Sequence, residues 1–145
     1  MVRRRGFALA EALMVMVLLG ILASIIVPHV SGVGAESKTS TLATELHRMR
    51  ARIESYKDHH NGRFPVATGE NFANFLHRMA KKTDAGGDEG IEFGPYLQRL
   101  PVNPFNDSTK VRIDGAVAGA NIAGWRFDTA NGVFQADDSP DHARF

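Results

Sequence analysis

The sequence predicts an α+β protein in which a long N-terminal hydrophobic α-helix packs on a small C-terminal antiparallel β-sheet. An uninterrupted apolar run opens the chain over residues 7–27. An amphipathic helical pattern follows over about residues 36–61. Short strand-like runs joined by an Asn-Gly turn lie near the C-terminus. The change from a 3.6-residue period to short runs separated by turn residues is typical of this fold class.

The apolar run reads FALAEALMVMVLLGILASIIV and contains one charged residue, Glu11. At a rise of about 1.5 Å per residue, such a helix is as long as the hydrocarbon core of a bilayer is thick. Three arginines immediately precede the run, and a basic flank keeps that end of a helix in the cytoplasm. We therefore expect one membrane helix with the rest of the chain on the extracytoplasmic side.

Glu11 is unusual because an acid in a membrane helix costs on the order of a few kcal/mol. It lies one turn into the run, so it either reaches the head groups or needs a positive partner. If the chain were cut after Gly6, Phe7 would carry a new α-amino group four residues before Glu11. In an assembly, this amine of one subunit could pair with Glu11 of a neighbour, and a buried pair of this kind specifies register more than it adds stability.

The segment RRRGFALAEALMVMVLLGILASIIVP resembles the class III signal and N-terminal helix of type IV pilins and type II secretion pseudopilins. The shared features are a short basic leader, Gly6, Phe7, an acid four residues later, an apolar run and Pro28. The resemblance implies a pilin-like fold. It also implies that a prepilin peptidase cuts between Gly6 and Phe7 and N-methylates Phe7, and that Glu11 guides a new subunit into a helical filament.

Two export signals compete with this interpretation. Arg4-Arg5-Gly6-Phe7 fits part of a twin-arginine signal. An ordinary secretory signal has a shorter apolar region before a small-residue cleavage site, whereas Ala23-Ser24 lies inside the run. Glu11 fits poorly in the apolar core of either signal, so both are less favoured.

Length and composition allow one small domain after the apolar helix. The chain has 145 residues, 17 basic and 16 acidic side chains and no cysteine. Removing the leader takes three of the arginines away and leaves a nearly neutral chain, so no nucleic-acid surface is indicated. Without cysteine, an exported domain has no disulfide, and the long helix, a bound ion or neighbouring subunits must stabilise it.

Pro28 predicts a kink, and two glycines in Ser31–Gly34 predict a weakened helix or a linker. A helical stripe then recurs at spacings of four and three residues: Leu42, Leu46, Met49, Ile53 and Tyr56. Asn61-Gly62 and Pro65 predict the end of this helix.

A second helix is predicted over residues 68–83, with an apolar face of Phe72, Phe75, Leu76 and Met79. Residues 84–90 (DAGGDEG) have a loop composition. Residues 94–105 are expected to be extended because two X-Pro steps, Leu100-Pro101 and Asn103-Pro104, fall in their second half. Their GPYL and NPF stretches resemble a G-type pseudopilin, more loosely than the N-terminus does.

The C-terminal third predicts strands at about 110–113, 124–128 and 133–136, the last two joined by Thr129-Ala-Asn-Gly132. Trp125 and Phe127 would share one sheet face and pack on the helical stripe. Residues 139–145 are expected to form a loose terminus.

Motifs for chemistry are absent from the sequence: it has no G-x-S-x-G, phosphate loop or H-E-x-x-H. His59 and His60 point about 100° apart on a helix, so they are interpreted as helix-end residues, and no acid pattern completes a zinc site with His47.

The acids near the C-terminus are candidate calcium ligands, because calcium takes oxygen ligands from loops. They are Asp128, Asp137 and Asp138, with Asp107 and Asp114 in earlier loops. The major pseudopilins that this chain resembles bind calcium in C-terminal loops, but this chain has no clear copy of that loop. Turn and cap roles are therefore favoured and no cofactor is expected, with calcium binding by these acids as the alternative.

We therefore predict a non-enzymatic structural subunit of a type II secretion pseudopilus. Its parts are a leader (1–6), a transmembrane and filament-core helix (7–35) and a periplasmic domain (36–145). By resemblance, its partners are other pseudopilins, the prepilin peptidase, an inner-membrane platform protein and an assembly ATPase. It would be stored in the bacterial inner membrane as a single-pass protein and assembled into a periplasmic filament. The alternatives are a pilin of an adhesion, motility or DNA-uptake fibre and a permanently anchored periplasmic binding module.

Overall fold

The computed structural model describes residues 5–145, and it describes the side chains of residues 9–21 and 34–145. The elements in chain order are α1 (Arg5–His59), α2 (Phe72–Ala80), β1 (Val111–Ile113), β2 (Trp125–Asp128), β3 (Val133–Ala136) and a 3₁₀-helix (His142–Arg144). The chain divides into two units, Met1–Ser37 and Lys38–Phe145. The predicted α+β class is confirmed.

The predicted end of the first helix is confirmed. Asn61 and Gly62 both adopt positive φ angles, 56° and 80°, which terminate a helix by turning the chain out of its axis. The amide of Gly62 donates to the carbonyl oxygen of Lys57 across 2.9 Å. This bond satisfies a carbonyl that the helix itself leaves unpaired.

The predicted apolar stripe of α1 forms one wall of the core. All five of its residues are at most 2% exposed. They share one hydrophobic cluster with residues from α2, the sheet and the connecting segments: Val66, Phe75, Met79, Leu97, Val111, Trp125, Phe127, Phe134 and Ala136. Burial of each large apolar side chain contributes about 1.5–3 kcal/mol, so this cluster is the main source of stability of the second unit.

The second helix is shorter than predicted. It begins at Phe72 because Asn71 caps it: the Asn71 side chain accepts from the amides of Ala73 (2.9 Å) and Asn74 (3.3 Å). It ends at Ala80, after which the backbone is extended and Thr83 pairs with Phe93. The predicted apolar face, Phe72 to Met79, lies within these bounds, and the capping side chain and the pairing of Thr83 exclude the predicted residues on either side.

The sheet is mixed, so the predicted antiparallel sheet is wrong for one pair of strands. β2 pairs with β3 in antiparallel fashion, and the hairpin turn over residues 129–132 is confirmed. β1 and β2 pair in parallel, with Val111 opposite Trp125 and Ile113 opposite Phe127. The connection over residues 114–124 carries the chain back to the start of β1, so β2 runs in the same direction as β1. Trp125 and Phe127 share the buried face, as predicted.

The C-terminal residues are docked, and the prediction of a loose terminus is wrong. Ala143 is buried, and its carbonyl oxygen accepts from the Gln135 side chain across 3.0 Å. The Arg50 guanidinium donates to the carbonyl oxygens of Phe134 (3.0 Å) and Phe145. Burial lowers the pKa of Arg50 from its ordinary value. One arginine of α1 thus ties the end of the chain to β3.

Candidate functional site

The segment of α1 from Leu9 to Ile21 exposes an apolar surface in every direction. Each side chain of the seven consecutive residues 13–19 is large, apolar and between 51% and 75% exposed. Successive side chains of a helix are about 100° apart, so these seven cover its whole circumference. A helix that is apolar all round is stable only when lipid or other apolar helices surround it.

Glu11 is the one charged residue of this segment, and its side chain is exposed. Gly6, Phe7 and Pro28 lie within the bounds of α1, but their side chains fall outside the described parts of the chain. The leader residues 1–4 also fall outside. Over the part of the chain that is described, no helical stretch reaches the length and hydropathy of a membrane span.

A buried ion pair organises the loop between β1 and β2. Asp137 is fully buried, and its Oδ1 atom lies 2.7 Å from Nη2 of Arg112. The Asp137 carboxylate also accepts from the amides of Gly119 and Ala123, both at 3.1 Å. The Arg112 guanidinium donates to the Ala116 carbonyl oxygen at 2.7 Å. The two side chains therefore hold the loop from both ends. The hydrogen bonds from the loop amides and from Arg112 in turn stabilise the Asp137 carboxylate, which is buried away from water.

The other tail acids belong to separate hydrogen-bond networks. Asp114 accepts from the amide (2.8 Å) and the hydroxyl (2.7 Å) of Thr129. Asp138 accepts from the Asn103 amide group (2.8 Å) and contacts His142. The Asp114–Thr129 and Asp138–Asn103 contacts join residues 15 and 35 positions apart, so they are tertiary contacts and not the local turn and cap roles predicted for the acids.

Asp128 caps the hairpin. Burial alone would raise its pKa, but hydrogen bonds from the backbone of Asn131 and the side chain of Arg126 outweigh it, so the pKa of Asp128 is lowered. The structure does not bring the candidate calcium ligands together: the described residues contain no group of three or more His, Cys, Asp or Glu side chains that could hold a metal.

His60 has a role that the sequence analysis missed. It is fully buried and stacked on Tyr56, with ring centroids 3.7 Å apart. Its Nδ1 atom lies 2.6 Å from the Tyr56 carbonyl oxygen, which can only accept, and its Nε2 atom lies 2.9 Å from the Thr83 hydroxyl. His59, by contrast, is exposed. Neighbouring helical side chains point about 100° apart, and His60, four residues after Tyr56, continues the spacing of the apolar stripe. This spacing is the signal that could have identified His60 as the buried histidine.

A shallow cavity of about 490 Å³ lies beside the Glu70–Arg78 ion pair and Tyr56. A hydrogen bond from Arg78 lowers the pKa of Glu70, and burial raises the pKa of Tyr56 to about 12. At neutral pH the carboxylate therefore stays ionised and the phenol stays protonated. Neither group is suited to exchange a proton with a ligand in this cavity.

Comparison with known proteins gives relatives that share one name. The chain is 28% identical to type II secretion system core protein G of Klebsiella pneumoniae over 115 residues, which cover 79% of each chain. It is 28% identical to the Aeromonas hydrophila protein of that name over 131 residues, 90% of this chain and 88% of the relative. It is 30% identical to the Dickeya chrysanthemi protein over 103 residues, 71% of this chain and 64% of the relative. No family model and no solved structure matches the chain.

Proposed function

We propose that the chain is a structural subunit that polymerises into a pseudopilus of a type II secretion system, because the relatives that it matches are named type II secretion system core protein G. The role is structural and not enzymatic. The exposed apolar surface of residues 9–21 carries this proposal. A surface of this kind favours lipid before assembly and the same surface of other subunits after it.

The N-terminus supplies the proposed processing and assembly residues. A prepilin peptidase removes residues 1–6 between Gly6 and Phe7 and methylates the new amine of Phe7. That amine of one subunit then pairs with Glu11 of a neighbour in the low-dielectric core of the filament. The pair selects one register, because an unpaired Glu11 in an apolar surrounding is costly.

The proposed location follows from the same segment. Residues 7–35 form a helix that is held in the bacterial inner membrane before assembly, and the three leader arginines keep its N-terminus in the cytoplasm. Pro28 provides a bend near the membrane surface. Residues 36–145 form a domain on the periplasmic side, and the whole chain adopts a pilin-like fold.

The proposed partners are other pseudopilin copies, the prepilin peptidase, an inner-membrane platform protein and an assembly ATPase. Drawing the apolar residues of segment 9–21 out of lipid requires energy. The sequence contains no phosphate-binding loop, so a separate ATPase supplies that energy.

The experiment that tests this function is intact-mass and N-terminal peptide mass spectrometry on the full chain from its native host. A mature chain that starts at Phe7 with one extra methyl group on its amine supports the proposal. A chain that still carries residues 1–6 in peptidase-competent cells favours the anchored binding module. Cleavage near Ala23 favours a secreted soluble domain.

Gly6→Asp is the matched variant for this measurement. The peptidase site requires a small residue at this position, so the variant should keep its leader and remain in the membrane. Processing of Gly6→Asp at the level of the unsubstituted chain would contradict the cleavage site.

A second experiment distinguishes a secretion pseudopilus from a pilus fibre. In cells that lack the chain, we compare the secretion of enzymes into the medium with the assembly of surface fibres.

A further inference from the structure

A basic groove runs along one side of the second unit. It lies between α1 and the connecting segment 98–102 and has a volume of about 470 Å³. Arg48 and Arg52 line it from α1, and Arg99 lines it from the segment. All three arginines are exposed, so the groove presents positive charge to solvent.

The charge in the groove is largely unpaired within the chain. Arg48 pairs with Glu45 across 3.1 Å, but no ion pair neutralises Arg52 or Arg99 among the described residues. Leu100 and Val102 add apolar surface to the lining, and Val102 is exposed. The groove therefore suits a ligand that is acidic at its edges and apolar at its centre.

An exposed segment of the same chain has this pattern. Ile91 is 85% exposed, and Glu89 and Glu92 stand on either side of it and are exposed as well. We call residues 89–92 the acidic knob. The chain next to it is well anchored, because Thr83 and Phe93 exchange two backbone hydrogen bonds of 2.9 and 3.0 Å. The backbone pairing of Thr83 with Phe93 therefore fixes the position of the acidic knob.

The knob and the groove lie at different heights along α1. Phe93 stacks on His59 with ring centroids 4.9 Å apart, which places the knob at the C-terminal end of α1. Arg52 and Arg48 precede His59 by seven and eleven residues, or about 10 to 16 Å along the helix axis. The knob of a second copy, displaced along this axis by such a distance, would stand level with the arginines.

From this complementarity we propose that the acidic knob of one copy docks in the basic groove of the next copy along the polymer. This inference rests on the proposed polymerisation and adds to it a contact between globular domains. The contact is heterologous, since two different surfaces meet, and heterologous contacts that do not close into a ring generate open helical filaments. Glu89 and Glu92 face the arginines, and Ile91 packs against Leu100 and Val102.

Disulfide cross-linking in the full chain tests the contact directly. The natural chain has no cysteine, and the periplasm is oxidising, so the double variant Arg52→Cys/Glu92→Cys reports this contact alone. In cells that assemble the polymer, it should give a ladder of dimers, trimers and longer products. Arg52→Cys and Glu92→Cys chains produced together should stop at the dimer, because each chain then carries one thiol. The matched control Ala51→Cys/Glu92→Cys, with the thiol on a neighbouring exposed face of α1, should give no ladder.

Charge exchange tests the chemistry of the contact. Arg52→Glu and Glu92→Arg should each lower the amount of polymer by about tenfold, because like charges would then face each other. The double variant Arg52→Glu/Glu92→Arg should restore it, which also demonstrates that both substitutions are compatible with folding. Lys110→Glu, which changes an exposed charge outside the groove, should leave the polymer unchanged.

The outcomes distinguish failure of the docking contact from failure of the pseudopilus proposal on which it rests. A polymer that forms normally without a cross-linked ladder, and that tolerates Arg52→Glu, would overturn the docking of the knob and leave the pseudopilus proposal standing. Failure of the unsubstituted chain to polymerise with its peptidase and assembly machinery present would instead overturn the pseudopilus proposal.

Discussion

The Arg112 guanidinium lies 2.7 Å from the fully buried carboxylate of Asp137, and this pair joins the first strand to the residue that follows the last one. The Asp137 carboxylate also accepts from two amides of the loop over residues 114–124. The parallel pairing of β1 and β2 requires this loop to return along the sheet. The ion pair therefore stabilises the connection that makes the sheet mixed.

Asp137→Asn should lower the free energy of unfolding by about 3–5 kcal/mol, because the Arg112 charge is then left buried without its counter-ion. Urea unfolding of the segment 36–145 measures this change. Asp141→Asn is the control, since Asp141 is exposed and makes no side-chain cap, and it should change stability little. Equal stability of the Asp137 and Asp141 variants would refute a structural role for the pair.

Calcium should leave the thermal midpoint of the same segment unchanged. The carboxylates of Asp114, Asp137 and Asp138 already accept hydrogen bonds from Thr129, Arg112 and Asn103, respectively. An added ion would have to displace these protein donors. Thermal unfolding in calcium and in a chelator makes the comparison, and a midpoint several degrees higher in calcium would show that the tail acids rearrange into a site.

Lowering the pH should remove the contribution of the Glu70 carboxylate to the free energy of unfolding. Its carboxylate accepts from Nη2 of Arg78 at 3.0 Å, and the hydrogen bond from Arg78 lowers its pKa below the ordinary value of 4.5. A lowered pKa in the folded state means that the contribution is complete above pH 4.5 and is lost as the pH falls through the folded-state pKa.

Glu70→Gln should cost about 1 kcal/mol at pH 7 and nothing once the pH lies below the folded-state pKa. Unfolding free energies at several pH values measure the difference. Glu54→Gln, which breaks an exposed pair with Lys57, should show a much smaller difference. A cost of Glu70→Gln that did not change with pH would indicate lost packing instead of a lost charge.

Glu11→Leu should leave membrane insertion intact and strongly reduce filament formation. The substitution removes the proposed partner of the Phe7 amine and places an apolar side chain at this position. Glu11→Ala should behave in the same way, whereas Leu13→Ile preserves the apolar surface and should assemble normally. Membrane fractionation and electron microscopy of sheared filaments provide the readouts, and normal filaments from Glu11→Leu would remove the proposed assembly role.

The segment 36–145 should fold without the apolar helix. The whole hydrophobic cluster lies between Leu42 and Ala136, and the unit that contains it begins at Lys38. Circular dichroism and urea unfolding should give a cooperative transition, which Leu46→Ala should weaken by about 2–5 kcal/mol through the cavity that it leaves. A segment that stays unfolded, with or without calcium, would mean that the stripe needs the rest of α1 or neighbouring subunits.

Local patterns in the sequence were sufficient for much of the fold. The stripe from Leu42 to Tyr56 has the period of a helix with one buried face, and all of its residues are buried. Asn61-Gly62 ends the helix, and Asn131-Gly132 makes the hairpin turn. These features depend on residues a few positions apart, whose backbone preferences and periodicity can be read directly.

In the candidate site, too, some features are set by consecutive residues and others by residues that are distant in the chain. The apolar run with Glu11 is a property of consecutive residues, so the sequence alone indicated the surface that sets the proposed function. The structure leaves that surface exposed over residues 9–21. The groove lined by Arg52 and Arg99 was not predicted, because its two walls are more than forty residues apart in the chain.

The sequence by itself determined the apolar N-terminal segment, the helical stripe and the hairpin, since each is set by neighbouring residues. Only the tertiary structure decided that β1 and β2 run in parallel and that Arg112 meets Asp137. It also decided that Arg50 holds the C-terminal residues in place. These outcomes depend on which distant segments pack together, and that choice is made by the free energy of the whole core and not by any local preference.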